Sequence, residues 1–211
     1  MDKKKIKIVA LCGKAGAGKD FCLHQLMMRY PEWHEIISCT TRPPREGEKE
    51  GINYYFLSSD EFKERLFNGD MLEATVFRGW SYGTAFSALN ENTINLGVFN
   101  PAGVERLLDY PELDVCIIEI AADDKTRLLR QLNREHNPDV HEIVRRFGTD
   151  EEDFDDFHKE VVDNRYTIMN STNETTTIVN NLILCIQEHF KRPEYELFRK
   201  ASLFRILRLS Y

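Results

Sequence analysis

The sequence lacks most features of secreted, membrane-bound and nucleic-acid-binding proteins. No two of its five cysteines form a C-x-x-C pair, and their odd number and irregular spacing favour a reducing cytoplasm. The basic residues 1–5 precede an apolar stretch that is too short for a signal peptide or a membrane span. A net charge of −7 argues against general nucleic-acid binding. With no internal repeat or low-complexity linker, we expect a cytoplasmic protein that contacts neither membrane nor nucleic acid.

The composition does provide enough apolar sequence for a core. Of the 211 residues, 42% are hydrophobic and 30% are charged, which fits one domain with an inserted subdomain. Strand-like runs alternate with helical patterns, as at 6–11, 21–29 and 115–121. This alternation predicts an α/β fold in which helices cover both faces of a parallel sheet. Cys12 and Cys116 lie in strand-like runs and are expected in its core.

Residues 13–19, GKAGAGK, fit the G-x-x-x-x-G-K pattern of a P-loop. A strand-like run precedes them and a helical pattern follows, which is the context that the motif requires. The glycines free backbone N–H groups for phosphate oxygens, and Lys19 would reach the β- and γ-phosphates. An ordinary glycine-rich turn is the plainer alternative, but the full match in context favours a triphosphate site. The residues predicted to bind ATP are Gly13, Lys14, Ala15, Gly16, Ala17, Gly18, Lys19 and Asp20.

Asp20 departs from the P-loop pattern, in which Ser or Thr holds Mg²⁺ through a neutral hydroxyl. Its carboxylate could bind the metal directly or through water, because Mg²⁺ favours carboxylate oxygens. It could instead cap the following helix, a role that Asp fills well. The sequence favours neither alternative.

A second phosphate-binding pattern lies at 38–45, SCTTRPPR. Pro43 and Pro44 stiffen the backbone, so Arg42 and Arg45 project from a rigid loop and not from a helix. Guanidinium forks suit bidentate recognition of a phosphate. In isolation such a segment is more often a solvated turn, but two anion sites in one chain suggest two phosphorylated substrates.

The stretch 38–62, SCTTRPPREGEKEGINYYFLSSDEF, resembles the nucleotide-acceptor segment of guanylate kinases. The resemblance continues at 71–74 and 81–84 and extends more weakly from the P-loop to 166–170. The P-loop of this chain ends in Gly18, Lys19 and Asp20 (a GKD type), and it is also similar to those of some phage deoxynucleoside monophosphate kinases. The resemblance implies that the acceptor monophosphate is bound by Ser38, Arg42, Arg45, Tyr54 and Tyr82.

The same resemblance implies that Glu73 and Thr84 read the guanine edge. A carboxylate can accept hydrogen bonds from the guanine N1–H and N2 amine together, while a hydroxyl can donate to O6. Adenine presents the opposite pattern and would leave Glu73 unpaired, which is costly in a buried site. Without the flanking motif, a surface carboxylate on an amphipathic strand would be the simpler interpretation.

The family's Asp-x-Asp pattern is missing. Val98 and Asn100 stand where those aspartates belong, so one position loses its ligating group and the other loses its charge. Asn100 is retained as an expected acceptor contact near the guanine amine or ribose. We further hypothesise that Asp20 replaces the carboxylate missing at Val98, which makes it a candidate magnesium ligand.

Residues 124–133 predict a helix with Leu128, Leu129 and Leu132 facing inward, and a second helix begins near 140. The polar segment between them, with its neighbouring arginines, resembles the arginine-bearing lid of the family. The resulting catalytic candidates are Lys19, Arg42, Arg134 and Arg146, with Arg130 and Arg145 as weaker ones. The acidic run 151–156 is interpreted as a solvated helix face.

These observations lead to one set of expectations. The fold is a three-layer P-loop NTPase core (1–37, 89–133 and 148–190) with an inserted mixed α/β acceptor subdomain (38–88) and a helical lid (134–147). The implied function is Mg²⁺-dependent transfer of the ATP γ-phosphate to GMP or dGMP. Broader deoxynucleotide choice, or a non-catalytic protein-binding module, is the alternative. The amphipathic extension 191–211 could pack on the core or mediate a homodimer.

Overall fold

The computed structural model describes residues 4–44, 47–77, 79–134, 138–160, 165–171 and 174–190. In chain order its helices and strands are β1 (Ile6–Cys12), α1 (Lys19–Arg29), β2 (His34–Glu35), β3 (Cys39–Thr40), β4 (Tyr55–Phe56), α2 (Ser59–Phe67), β5 (Met71–Phe77), β6 (Trp80–Ala85), β7 (Asn95–Val98), α3 (Pro101–Leu108), β8 (Leu113–Ala121), α4 (Asp124–Leu132), α5 (Val140–Glu160), β9 (Arg165–Met169) and α6 (Thr175–Phe190). The predicted extension 191–211 lies outside the described residues.

The central sheet is parallel, with strand order β2-β7-β1-β8-β9. Residues 8–12 of β1 are fully buried, because helices cover both faces of the sheet. One apolar layer joins the sheet to α1 and α6, and the other joins it to α3 and α5. This confirms the predicted three-layer α/β core. Ligands of such sheets bind outside the carboxyl ends of the strands, where the chain order reverses beside β1.

The second sheet has the order β4-β3-β6-β5 and mixes parallel with antiparallel pairs. It packs with α2 around a small core of Cys39, Phe62, Met71 and Ala85. Helix α2 is capped by Ser58. The Ser58 hydroxyl accepts from the Glu61 N–H at 3.2 Å, and the Glu61 carboxylate accepts from the Ser58 N–H at 2.7 Å.

The cysteines are buried, as expected for Cys12 and Cys116. Four of them are at most 1% exposed, and Cys185 is half-buried. Burial raises the pKa of Cys12 to about 12, of Cys22 to about 11 and of Cys185 to about 12. In the part of the chain that the structure describes, no helix is both long and apolar enough to span a bilayer.

Candidate active site

The loop between β1 and α1 is shaped by its glycines. Gly13, Gly16 and Gly18 have positive φ values of 144°, 80° and 96°. A Cβ on Gly13 would stand 2.2 Å from the backbone oxygen of Ile120, and one on Gly16 would stand 2.5 Å from that of Arg127. The loop therefore packs directly against β8 and α4, and larger residues at these two positions would displace it.

Lys19 folds back over this loop. Its Nζ donates to the backbone oxygen of Gly13 at 2.6 Å and to that of Lys14 at 3.3 Å. Burial lowers its pKa, while the charges of Asp20 and Asp150 act in the opposite direction. The ammonium group thus lies against the loop. An oxygen of a bound phosphate could replace the two carbonyls as its hydrogen-bond acceptor.

The predicted capping role of Asp20 is wrong. Gly18 is the N-cap of α1, and no side chain bonds to the free N–H groups there. Asp20 lies in the first turn with an exposed side chain. Tyr54 in the second sheet has a pKa raised by burial and by Tyr82, and the Asp20 charge contributes. The Asp20 carboxylate at the loop is therefore near enough to the second sheet for its charge to affect the pKa of Tyr54.

The donor set around the loop fits a magnesium ion brought in with a nucleotide. Within the described residues there is no group of three or more Asp, Glu, His or Cys side chains that could cage a metal. Mg²⁺ in phosphoryl-transfer sites usually takes one or two carboxylates, with phosphates and water completing its shell. Asp20 is an exposed carboxylate at the loop, whereas Val98 at the end of β7 offers no ligand.

Arg42 is held at the edge of the second sheet with its guanidinium largely out of solvent. It is 9% exposed, and its Nη atoms donate to the backbone oxygen of Pro43 at 2.7 Å and to Glu48 Oε1 at 2.9 Å. The guanidinium lies 5.6 Å from the Tyr54 ring centroid and 5.9 Å from that of Phe56. Its pKa is raised, first by Glu48 and then by Tyr82. Arg42 is thus preorganised before any phosphate binds.

Two tyrosines lie beside Arg42, as the sequence predicted. The rings of Tyr54 and Tyr82 are 6.1 Å apart in an edge-to-face arrangement. Tyr82 also contributes to the raised pKa of the Arg42 guanidinium. The structure therefore brings three of the five predicted phosphate contacts together. Arg45 lies outside the described residues.

Glu73 and Thr84 face each other on β5 and β6. Thr84 is fully buried, and its hydroxyl is 3.2 Å from that of Ser38. Burial raises the pKa of Glu73, and hydrogen bonds from Thr84 oppose that rise. A half-buried carboxylate beside two hydroxyls forms a small polar cluster with both acceptor and donor groups.

Asn100 lies near this cluster, at the end of a strand of the central sheet. It caps α3, where its Oδ1 accepts from the Gly103 N–H at 2.7 Å. A Cβ on Gly103 would lie 2.9 Å from Asn100 Oδ1 and 3.5 Å from Glu73 Oε2. The two side chains therefore converge at the start of α3, although the Asn100 carbonyl is committed to the cap. Asn100 thus has a local structural role as the cap of α3, a role that aspartate could fill equally well.

The predicted lid arginines lie on different elements. Arg134 is exposed just after α4. On α5, Glu142 accepts from Arg145 Nε and from Arg146 Nε, each at 2.8 Å. The Glu142 carboxylate therefore binds both arginines of α5, whereas Arg134 lies on a different segment, just after α4.

The inward face of α4 was predicted wrongly. Leu128 and Leu129 are 37% and 47% exposed, whereas Arg127 is 2% exposed. Arg130 lies one turn further on and donates to the backbone oxygens of Ala17 at 3.2 Å and of Asn170 at 2.9 Å. The helix thus turns arginines toward the loop, and their i, i+3 spacing was the signal in the sequence.

The acidic run on α5 is only partly solvated. Glu151 is paired with Lys14 of the loop and lies 3.4 Å from Arg127. Its neighbour Asp150 accepts from the Ala15 N–H at 2.6 Å. Phe154 and Phe157 are buried in the core. Among the described side chains of 151–156, Glu151, Glu152, Asp153 and Asp155 are exposed, as expected for a solvated helix face, and Phe154 is the buried exception.

The fold and the loop define the class. The chain is a P-loop α/β protein. The residues that follow α1 and β2 form its second sheet, which carries the polar cluster of Ser38, Glu73 and Thr84. A family model described as guanylate kinase matches residues 5–184. The chain belongs to the guanylate kinase family.

Individual relatives are similar over shorter stretches. The chain is 42% identical over 83 residues to a guanylate kinase of Nostoc sp. (strain PCC 7120 / SAG 25.82 / UTEX 2576), covering 39% of this chain and 42% of the relative. It is 45% identical over 92 residues to a guanylate kinase of Mycoplasmopsis synoviae (strain 53), covering 43% and 46%. The aligned part thus spans less than half the length of these curated relatives.

A solved structure supports the fold over nearly the whole chain. The crystal structure of guanylate kinase from Anaplasma phagocytophilum covers 99% of this chain, and the match includes 96% of that chain. The TM-score is 0.62 and the sequence identity is 21%. At this identity the match establishes the shared fold.

Proposed function

We propose that this protein is a nucleoside monophosphate kinase that transfers the γ-phosphate of ATP to GMP or dGMP. The observation that carries the proposal is the polar cluster of Ser38, Glu73 and Thr84 in the same subdomain as a preorganised Arg42. Membership of the guanylate kinase family supports it. The buried thiols support a reducing location, and we place the protein in the cytoplasm.

In this reaction an oxygen of the acceptor monophosphate forms a bond to the γ-phosphorus, and the bond from that phosphorus to the bridging oxygen of ATP breaks. ADP leaves with the electron pair. The chain's task is positioning and charge neutralisation, since phosphoryl transfer needs little covalent chemistry from protein groups. Lys19 would neutralise the donor phosphates, and Arg42 with Tyr54 and Tyr82 would hold the acceptor phosphate in line.

Other predicted groups complete this arrangement. Arg45 would join the acceptor grip, and Arg134 and Arg146 would supply positive charge around the moving group. Bound Mg²⁺ would neutralise the donor phosphates, with Asp20 as the nearby carboxylate. Glu73 and Thr84 would select guanine, and Asn100 would lie beside its 2-amine or the ribose.

The test is ADP production from ATP with each of the four nucleoside monophosphates and their deoxy forms. GMP or dGMP should be by far the best acceptor. Failure to turn over any acceptor would favour the alternative of a non-catalytic binding module. Equal rates with dTMP or dCMP would contradict base selection by Glu73 and Thr84.

Broader deoxynucleotide choice is the second candidate function. It is favoured by the Asn100 carbonyl, which is committed to the α3 cap and so is less available to the guanine amine. The same panel of acceptors distinguishes it, because a broad enzyme would show similar rates with several deoxynucleotides.

Asp20→Ser tests the metal role of Asp20. We expect a higher Mg²⁺ requirement and a fall in turnover of about tenfold, the order of a lost charge-assisted contact. The measurement is a magnesium titration of initial rates at saturating ATP and GMP, with the exposed Asp60→Ser as the matched control. An unchanged titration curve would remove Asp20 from the magnesium site.

A further inference from the structure

Arg127 is the most completely buried charged side chain in the described part of the chain, and the function proposed above does not use it. It is 2% exposed, whereas Leu128 and Leu129 of the same helix are exposed. Its Nε donates to the backbone oxygen of Ala15 in the P-loop at 3.1 Å. Its guanidinium carbon lies 4.3 Å from the Phe147 ring centroid on α5. One side chain therefore joins α4, the loop and α5.

Arg127 also collects carboxylates from two helices. Its Nη1 donates to Asp124 Oδ1 at 2.8 Å and to Glu151 Oε1 at 3.4 Å. Its Nη2 donates to Asp150 Oδ2 at 3.2 Å. A buried guanidinium is tolerated because these partners and the aromatic face offset its desolvation.

The two helices hold the peptide groups on either side of Ala15. Asp150 accepts from the Ala15 N–H at 2.6 Å, while Arg127 Nε and Gln131 Nε2 donate to the Ala15 carbonyl at 3.1 and 3.4 Å. The Asp150 oxygen that takes the Ala15 N–H is the same atom that pairs with Arg127. Main-chain orientation at this point of the P-loop is therefore set by an ion pair outside the loop.

We propose that Arg127 and Asp150 are positioning residues that fix the donor loop through both peptide groups of Ala15, and that this pair sets the affinity for the ATP donor. The inference rests on the proposed function only for the identity of the ligand. A loop held in one main-chain conformation need not be ordered when the nucleotide arrives, so less of the binding free energy is lost. Among the described residues, the partners in this network lie on α4, α5 and the loop, and none belongs to the acceptor subdomain.

The test measures binding and not turnover. Equilibrium binding of MgATP and of GMP is determined separately by calorimetry for the wild type, Arg127→Met, Arg127→Lys and Asp150→Asn. We expect MgATP binding to weaken about tenfold in Arg127→Met, the effect of losing one charge-assisted contact, with GMP binding unchanged. Arg127→Lys should recover little, because lysine lacks the planar fork that reaches Ala15, Asp124 and Asp150 together.

Asp150→Asn separates charge from geometry and guards against misfolding, since the Asp150 side chain is 20% exposed. It should weaken MgATP binding less than Arg127→Met, and the double variant should be no weaker than Arg127→Met alone. The control is Glu152→Gln, which alters an exposed carboxylate on the same helix. Additive effects of the two substitutions, or tighter MgATP binding in Asp150→Asn, would overturn the proposal. If wild-type protein binds both ligands but lacks turnover, the proposed function fails while this inference is still tested.

Discussion

Lys19→Met is expected to reduce phosphoryl transfer by about 10³-fold, close to the loss seen when an enzyme loses one preorganised electrostatic group. The reason is the position of Lys19 Nζ, which lies against the loop carbonyls of Gly13 and Lys14. From there its positive charge can neutralise the donor phosphates. Methionine keeps the length and the apolar stem of lysine but removes the charge. Initial rates of ADP formation at saturating ATP and GMP provide the measurement.

The control for this substitution is Lys63→Met, which removes an exposed lysine on α2 whose nearest carboxylate, Asp60, is 3.8 Å away. That variant should retain wild-type rates. Retention of more than a tenth of the wild-type rate in Lys19→Met would contradict the assignment of Lys19 to the transferring phosphate. A thermal melt shows whether either protein has lost its fold.

Glu73→Gln is expected to lower kcat/KM for GMP by about 10²-fold. Glutamine keeps one acceptor oxygen but replaces the other with a donor amide, which faces the N–H groups of guanine and leaves a buried donor unpaired. IMP lacks the 2-amine, so its much lower kcat/KM should fall less. The measured quantity is the ratio of kcat/KM for GMP to that for IMP, with Glu64→Gln on the exposed face of α2 as control.

The pH dependence of the same enzyme offers a second reading of Glu73. Burial raises the pKa of this carboxyl above the ordinary glutamate value. Only the ionised form accepts from both N1–H and N2, so kcat/KM for GMP should fall as the pH drops toward this raised pKa. In Glu73→Gln that acid limb should disappear. An identical acid limb in both proteins would assign it to another group.

The sequence predicted the parts of the fold in which local pattern and tertiary packing agree. The strand-like runs 6–11 and 115–121 correspond to β1 (Ile6–Cys12) and β8 (Leu113–Ala121), because each run is almost continuously apolar and lies in a sheet covered on both faces. The glycine loop was predictable for a different reason, since its positive-φ positions admit few residues other than glycine. The two-residue strands β2 and β3 could not be predicted from local propensity, because pairing with distant strands defines them.

The site was predictable where its residues belong to a contiguous motif. Arg42, Tyr54, Glu73 and Thr84 come from the neighbouring segments 38–62, 71–74 and 81–84, and the structure gathers them in one subdomain. The network around Arg127 was missed because leucine is the expected inward residue of an amphipathic helix. A buried arginine is favourable there only because carboxylates from α5, more than twenty residues away, reach it. Such a partner set cannot be seen from periodicity within one helix.

The buried cysteines have a practical consequence. Thiol reagents attack the thiolate, and at neutral pH the raised pKa values of Cys12, Cys22 and Cys185 leave almost none of it in the folded protein. Cys12 and Cys22 flank the donor loop, one at the end of β1 and the other within α1. A disulfide reagent should therefore reach these two thiols only when that segment opens, and a bound nucleotide that holds the loop should slow the modification of Cys12 and Cys22.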